Sequence, residues 1–322
     1  MKNAKSVAAP IVQPTPKFFS VVPHETHIDF MGKRYIGFAL SAVLVLLGIV
    51  AFVQIWMGNA KMGLEFTGGT ALILDFEQAV PIDQARAMLA QNGFSEAQIQ
   101  NIQETNQLAI RTRLSQEGEQ VAERLITLFE KNFPNSKPTV VSTEFIGPTI
   151  GKELRDKAIW AVIFSTLGFL VYIAVRFDFK FGVAAAIATF HDVFAVLGLS
   201  WALGMEFTLL IITALLTIAG YSLTDTVVVF DRIRENLKKH QRDPLLKIIN
   251  DALNQVLSRT ILTSLTTLLA VLVLFLLGGP VLRDFALVLI IGVLVGTYSS
   301  IFIASPFLLI WRRRGLTAQV KQ

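Results

Sequence analysis

The sequence contains no cysteine, and only 16% of its 322 residues are charged. The first absence excludes disulfides, thiolate chemistry and cysteine-ligated metals. The charged fraction is low for a water-soluble domain, in which about 25% of residues carry a charge. Hydrophobic residues make up 53% of the chain, and its mean hydropathy is +0.56. This composition is typical of a membrane protein.

Motifs for nucleotide and metal chemistry are missing as well. The chain has no G-x-x-x-x-G-K-[ST] segment, which excludes a P-loop nucleotidase. The four histidines are scattered, at positions 24, 27, 191 and 240, so we predict no metal site and no cofactor. The net charge of +5 is concentrated at the ends of apolar runs, which indicates contact with a lipid bilayer and not with nucleic acid. We therefore predict a membrane protein that is not an enzyme.

Six apolar runs are each long enough, at about 20 residues, to cross a bilayer as a helix. They are 36–57, 158–175, 181–203, 207–230, 260–277 and 285–311. The polar segment 58–157 separates the first run from the other five. The first run is too long for a signal-peptide core and lacks a small-residue cleavage site, so we interpret it as an uncleaved anchor.

Basic residues orient these helices. They cluster at one set of ends: Lys33-Arg34, Arg176 with Lys180, the segment 232–259, and the run 312–314. The opposite links, 204–206 and 278–284, contain one basic residue, Arg283. Positive residues mark the cytoplasmic side. The predicted organisation is a cytoplasmic tail (1–35), a first transmembrane helix (36–57), a periplasmic domain (58–157), a five-helix transmembrane bundle (158–311) with a cytoplasmic amphipathic link (231–258), and a second cytoplasmic tail (312–322).

The segment 58–157 alternates short strands and helices. Strands are predicted at 70–76, 99–104, 107–113 and 140–146, and helices after Pro81 and Ser115. The order β-α-β-β-α-β is that of a ferredoxin-like domain. The predicted fold class is an α-helical membrane protein with six transmembrane helices and an inserted α+β ferredoxin-like periplasmic domain. Glu65, Gly68 and Gly69 predict a tight turn where the membrane helix meets this domain.

Asp225 lies near the charged end of the fourth apolar run. A charged residue at the centre of a membrane helix costs about 2.5–3.5 kcal/mol. Asp225 precedes Asp231 by six residues, which places it about 9 Å inside the cytoplasmic end of the helix. Tyr221 and Ser222 share its helical face, and Thr224 belongs to an adjacent polar stripe. Asp225 has two possible roles. It binds and releases protons, which is favoured because ionisable residues inside a membrane are usually functional, or it holds two helices together.

Three further residues are candidates for the same proton pathway. Arg259 opens the fifth run on the cytoplasmic half, where it either pairs with Asp225 or anchors the helix. His191 and Asp192 lie mid-way along the third run, as proton carriers or as a satisfied polar pair. Two intramembrane aspartates also fit an aspartyl protease, but the Gly-x-Gly-Asp and Tyr-Asp motifs of that class are absent.

A glycine-rich spacing in the sixth run predicts close helix packing. Gly292, Gly296 and Ser300 recur every four residues. Small residues at this spacing let a second helix approach closely. We interpret the three residues as a packing surface.

Several motifs resemble the SecF family, membrane subunits of the bacterial protein-export machinery within the resistance-nodulation-division superfamily. They are LEFTGGT (64–70), FIGPTIG (145–151), HDV (191–193), GYSLTDTVVVFDRIREN (220–236), Arg259-Thr260 and GGP (278–280). The resemblance covers nearly all of the chain beyond residue 30. The family usually has Asp where this chain has Glu65, and Asn where it has Thr224.

The resemblance implies a function. A SecF-like subunit pairs with SecD, associates with the SecYEG channel and the accessory protein YajC, and uses the proton gradient to promote preprotein translocation across the inner membrane. Asp225 and Arg259 match the proton-pathway acid and arginine of the family. Two alternatives stay open, a proton-driven exporter of small molecules or lipids from the same superfamily, and a scaffold without proton chemistry.

Overall fold

The computed structural model describes residues 26–95, 97–102, 105–112 and 118–309. Residues 1–25 of the predicted first tail, the predicted second tail (312–322) and the predicted helix start at Ser115 lie outside these residues. The elements in chain order are α1 (Arg34–Trp56), α2 (Leu64–Thr67), β1 (Gly69–Phe76), α3 (Ile82–Gln91), β2 (Gln98–Ile102), β3 (Gln107–Thr112), α4 (Gly118–Asn132), a 3-10 turn (Pro134–Ser136), β4 (Pro138–Ile146), α5 (Pro148–Arg176), α6 (Phe179–Ala202), α7 (Leu209–Lys239), α8 (Leu245–Leu277), α9 (Gly279–Ser299), a π-helical turn (Ser300–Ala304) and α10 (Ser305–Phe307).

Within the described residues, six helices are long and apolar enough to cross a membrane, which confirms the predicted number. They are α1, α5, α6, α7, α8 and the helical run from α9 to α10. Several extend beyond the predicted apolar runs, because a charged residue in water does not end a helix. With 31 residues, α7 is about 46 Å long, whereas the hydrocarbon core is about 30 Å thick.

Two predicted links are therefore largely helical. The amphipathic link at 231–258 is the continuation of α7 and α8 around a turn at 240–244. The link at 278–284 is almost entirely the first turns of α9, since α8 ends at Leu277 and α9 begins at Gly279. Gly279 has a φ of +72°, which is a conformation that favours glycine at this sharp reversal.

The segment between α1 and α5 folds as a four-stranded antiparallel sheet with the order β2-β3-β1-β4. This topology confirms the predicted ferredoxin-like domain. Alternate residues of β1 and β3 point toward one face, where Leu72, Leu74, Leu108 and Ile110 are buried. The helix α4 covers the same core with apolar residues that include Phe129.

The ferredoxin-like domain is anchored to the membrane helices by the loop between α6 and α7. The chain after α1 forms a parallel bridge with this loop, between Met62 and Phe207. On β3, Arg111 forms an ion pair with Glu206 of the same loop. Asp284 of α9 also acts electrostatically on Arg111. Two acids from the membrane unit therefore face one arginine of the sheet.

Replacing Arg111 by glutamine is expected to loosen this anchor. Glu206 is only 19% exposed, so it would lose a partner that solvent replaces poorly, at a cost of about 1 kcal/mol. We expect amide hydrogen exchange in the 203–208 loop to rise about fivefold. Lys137→Gln is the matched control, because its ion pair with Glu77 is exposed. Equal exchange in both variants would contradict the anchor.

A strap before α1 is bound to the start of α8. Asn254 accepts a hydrogen bond from the backbone N–H of Ile28 (2.9 Å) and donates to its carbonyl (2.9 Å). Asn250 accepts from the N–H groups of Phe30 and Met31. The Met31 side chain is fully buried in the core of the bundle. The strap therefore ties α1 to the α7–α8 end of the bundle.

Candidate proton-transfer site

Asp225 lies on α7 and is partly buried where α7, α8 and the π-helical turn meet. Its Oδ1 accepts a hydrogen bond from Thr260 Oγ1 of α8 at 2.9 Å. Its Oδ2 accepts one from Ser300 Oγ at 2.5 Å. Two hydroxyl donors therefore replace water around a carboxyl group within a membrane helix. Hydroxyls can reverse their donor role when the carboxyl gains a proton, so the arrangement accommodates both protonation states.

Arg259 does not form the predicted ion pair with Asp225 in this conformation. Its side chain is exposed, and no described basic group lies within 4.0 Å of the Asp225 carboxylate. The guanidinium still acts electrostatically on Asp225. The two interpretations of Arg259, as a partner and as an anchor, therefore both stand.

Asp192 is a second acid and is completely buried on α6. Its Oδ1 lies 2.9 Å from Nδ1 of His191. Its Oδ2 accepts hydrogen bonds from Ser222 of α7 and from Ser299 of α9, the latter at 2.7 Å. Asp192 thus joins three helices at one point. His191 Nε2 is buried and has no hydrogen-bond partner among the described residues, which leaves a nitrogen that can bind a proton or a water molecule.

The three residues predicted to support Asp225 point in different directions. Ser222 turns toward α6 and binds Asp192. Tyr221 turns toward α8, where its hydroxyl donates to Ser264 Oγ at 3.2 Å. Thr224 is exposed, and its hydroxyl bonds to the Gly220 carbonyl at 3.0 Å. The departure from the family pattern at position 224 therefore lies outside the contacts of Asp225.

Several polar neighbours of the two acids were missed by sequence reasoning. Ser264 of α8 and Thr297 of α9 are linked by a hydrogen bond of 2.6 Å. They lie about one helical turn from Thr260 and Ser300, the two residues that bind Asp225. Tyr298 donates to the Gly37 carbonyl of α1 at 2.6 Å, and its ring lies 6.3 Å from that of His191. A signal was present, because four consecutive polar residues occupy 297–300 of the sixth apolar run.

The predicted glycine spacing in α9 faces α7. A Cβ at Gly292 would collide with the Ile218 side chain, and one at Gly296 would lie 3.1 Å from Ser222 Cβ. These two glycines lie at a close approach of α9 and α7. Ser300, which we had interpreted as part of the same packing surface, instead binds Asp225. The packing glycines and the serine that binds Asp225 therefore lie on the same side of this helical run.

The predicted junction residues Glu65, Gly68 and Gly69 lie in α2, directly after it and at the start of β1. Gly68 and Gly69 follow α2 with φ values of 68° and 127°, where a side chain would be strained. A Cβ at Gly151 of α5 would lie 3.3 Å from Gly68 N, so this turn packs on the start of α5. The Glu65 carboxylate lies beside Gly63. The role of the three residues in function stays a prediction.

Comparison with known proteins identifies the family. The model of the family "Protein export membrane protein SecD/SecF, C-terminal" matches residues 126–314, which is more than half of the chain. The chain is 47% identical to the protein translocase subunit SecF of Thermodesulfovibrio yellowstonii over 91% of its own length and 97% of that protein. This chain belongs to the SecD/SecF family. Relatives with the SecF name are described as translocase subunits, which is a transport role and not catalysis.

Solved structures of SecD/SecF family members share the fold. The crystal structure of SecDF from Thermus thermophilus, described as a translocon-associated membrane protein, matches with a TM-score of 0.79 and 40% identity. The match covers 90% of this chain and 39% of that one. A crystal structure of SecDF in a super-membrane-facing form matches with a TM-score of 0.67 and 39% identity, over 94% of this chain and 41% of that one.

Proposed function

We propose that this chain is the SecF-type subunit of a Sec translocase accessory complex. In that role it uses the proton gradient to promote preprotein translocation across the bacterial inner membrane. The observation that carries the proposal is Asp225, a membrane-embedded acid held by Thr260 and Ser300 in a chain of the SecD/SecF family. The match over 97% of a SecF favours protein export over the exporter alternative.

A SecD-like subunit is the proposed partner. This chain matches 39% of SecDF, so SecDF contains additional sequence that a separate subunit would supply. Exposed threonines on α7 and α8 support this pairing. They are Thr213, Thr217, Thr224, Thr263 and Thr266. Each hydroxyl is bonded to a carbonyl of its own helix, which leaves a small, satisfied surface suited to helix packing in a membrane.

The charged ends of the helices support the proposed orientation. At the end predicted to be cytoplasmic, Arg176 forms an ion pair of 2.5 Å with Asp231, and Arg234 one of 3.7 Å with Asp178. The ferredoxin-like domain is inserted between α1 and α5, at their other ends. We therefore place both termini in the cytoplasm and residues 58–157 in the periplasm of a multi-pass inner-membrane protein.

The proposed cycle begins with a proton entering from the periplasmic side and binding Asp225. The neutral carboxyl group no longer attracts the Arg259 guanidinium or holds the Thr260 and Ser300 hydroxyls as firmly, because hydrogen bonds to a charged group are stronger than neutral ones. The contacts between α7, α8 and α9 change, and the periplasmic domain moves with the helices that carry it. Release of the proton to the cytoplasm restores the first arrangement.

The wider assembly is proposed to include the SecYEG channel and a YajC-like protein, with the periplasmic domain near the emerging preprotein. The test uses inverted membrane vesicles that contain the chain, its SecD-like partner and SecYEG. We expect the chain-dependent part of preprotein import to disappear when an ionophore collapses the proton gradient. Import that depends on the chain but is unchanged by the ionophore would leave only a scaffold role.

A further inference from the structure

Asp192 and Asp225 are connected by neighbouring residues on two helices. Along α7, Ser222 binds Asp192 and Asp225 follows three residues later. At the end of α9, Ser299 binds Asp192 at 2.7 Å and the next residue, Ser300, binds Asp225 at 2.5 Å. A single peptide unit therefore separates a serine bound to one acid from a serine bound to the other.

Each of the two serine hydroxyls has a choice of acceptor. Ser299 Oγ lies 3.1 Å from the Gly296 carbonyl as well as 2.7 Å from Asp192. Ser300 Oγ lies 3.1 Å from the Thr297 carbonyl as well as 2.5 Å from Asp225. A hydroxyl has only one proton to donate. The charge on the acid therefore decides whether the proton points to the carboxyl group or to the helix backbone.

The two serines lie where the helix changes its hydrogen-bonding pattern. The π-helical turn begins at Ser300 and runs to Ala304. Its first carbonyl accepts a hydrogen bond of 2.8 Å from the Ser305 hydroxyl. Turns of this kind interrupt the regular ladder of an α-helix and frequently occur at functional sites. A change in the hydrogen bonding of Ser300 can therefore reach Ser299 through the backbone.

Few other ionisable groups are close to these acids. His191 on α6 contacts Asp192 through Nδ1, and Arg259 on α8 acts on Asp225 without contact. Tyr298 on α9 lies beside the His191 ring. Among the described residues, the remaining side chains bound to the two carboxyl groups are hydroxyls of serine and threonine. Among the described residues, Ser222 binds Asp192 but not Asp225, so the connection in which adjacent hydroxyls bind the two acids runs through Ser299 and Ser300.

We propose that Ser299 and Ser300 are positioning residues that couple proton binding at Asp225 to the hydrogen bonding of Asp192. This inference rests on the proposed proton exchange at Asp225. When a proton from water binds the Asp225 carboxylate, Ser300 turns its own proton toward the Thr297 carbonyl. The π-helical turn adjusts, and Ser299 transfers its hydrogen bond from Asp192 to the Gly296 carbonyl. No proton leaves either serine.

Infrared difference spectroscopy of the purified complex with its SecD-like partner tests the coupling. The bands of the two acids are assigned by their loss in Asp192→Asn and Asp225→Asn. In the unmodified complex, we expect a pH jump that protonates Asp225 to shift the carboxyl band of Asp192. Ser299→Ala should abolish that shift and leave the Asp225 band titrating. Ser299→Thr, which keeps a hydroxyl, should retain the shift.

The control is Thr189→Ala, which removes an α6 hydroxyl whose one hydrogen bond among the described residues goes to the Ala185 carbonyl, and which should leave the shift intact. Coupling is reciprocal, so Asp192→Asn should also move the midpoint of the Asp225 titration by about one pH unit, the size of one charge-assisted hydrogen bond. The inference is overturned if the Asp192 band ignores Asp225 in the unmodified complex, or if its shift survives Ser299→Ala.

Failure of this inference differs from failure of the proposed function. An Asp192 band that ignores Asp225, in a complex whose export still depends on the proton gradient, removes only the serine coupling. A spectral shift that obeys the serine variants, in a complex whose export ignores the gradient, removes only the transport role. The two experiments use the same complex but measure different quantities, which are infrared bands in one and preprotein import in the other.

Discussion

Asp225→Asn is expected to abolish gradient-dependent stimulation of preprotein export while the complex stays assembled. Asparagine is close to aspartate in size, and Thr260 and Ser300 bind the two carboxyl oxygens at 2.9 and 2.5 Å. The amide oxygen can accept a hydrogen bond from one of these hydroxyls, and the amide NH2 can donate to the other once that hydroxyl turns to accept. It cannot gain or lose a proton in this pH range. The variant should therefore keep the packing of α7 against α8 and α9 but lose proton binding and release at position 225.

The measurement is preprotein import into inverted vesicles with and without an ionophore. Import by Asp225→Asn should equal that of the unmodified complex after the gradient has been collapsed. Asp243→Asn is the matched control, because Asp243 lies in the turn between α7 and α8 and pairs only with Lys247 among the described residues. Full stimulation by Asp225→Asn, with co-purification of the partner unchanged, would refute the proton mechanism.

A second large effect is expected where α1 crosses α6. A Cβ at Gly198 of α6 would lie 2.5 Å from the backbone nitrogen of Gly48 and 2.9 Å from its Cα. A Cβ at Gly48 would in turn collide with the Phe194 carbonyl. Because the obstructing atoms belong to the backbone, no change of side-chain rotamer relieves the contact. The two helices must separate to admit even one methyl group.

Gly198→Ala is therefore expected to lower the free energy of unfolding by about 1–3 kcal/mol, the usual cost of overpacking. The matched control is Gly168→Ala on α5, where no described atom outside the local helix backbone lies within 4 Å of the added Cβ. Alanine favours a helix over glycine by about 1 kcal/mol, so the control should be neutral or more stable. Thermal unfolding in detergent measures both, and the same sign for the two variants would contradict this account.

The predicted fold came from periodicity and run length. Six apolar runs have few alternatives to spanning helices, and all six are present. The strand and helix order between α1 and α5 also predicted the ferredoxin-like domain, because alternating and helical spacing are local properties. The ends of the helices were harder to predict. The α7 helix continues to Lys239, nine residues beyond the predicted end at position 230, since charge in water gives no reason for a helix to stop.

Only those residues of the candidate site that are costly to bury in a membrane could be predicted from the sequence. Asp225, Asp192 and His191 stand out because ionisable groups are rare in apolar runs. Serine and threonine do not stand out in the same way, because each can bond to its own helix, as Thr224 does with Gly220. The run of four polar residues at 297–300 is a signal of a polar site, but only the distance of 2.7 Å between Ser299 and Asp192 reveals which acid Ser299 contacts.

The sequence by itself determined that the chain spans a membrane, carries an inserted ferredoxin-like domain and embeds an acid in its fourth spanning helix. These properties follow from hydropathy, spacing and the cost of burying charge, all of which are read along one segment. Only the tertiary structure decided which hydroxyls meet that acid. Thr260 lies 35 residues from Asp225 and Ser300 lies 75 residues away, and helix packing determines their approach through contacts that no single segment contains.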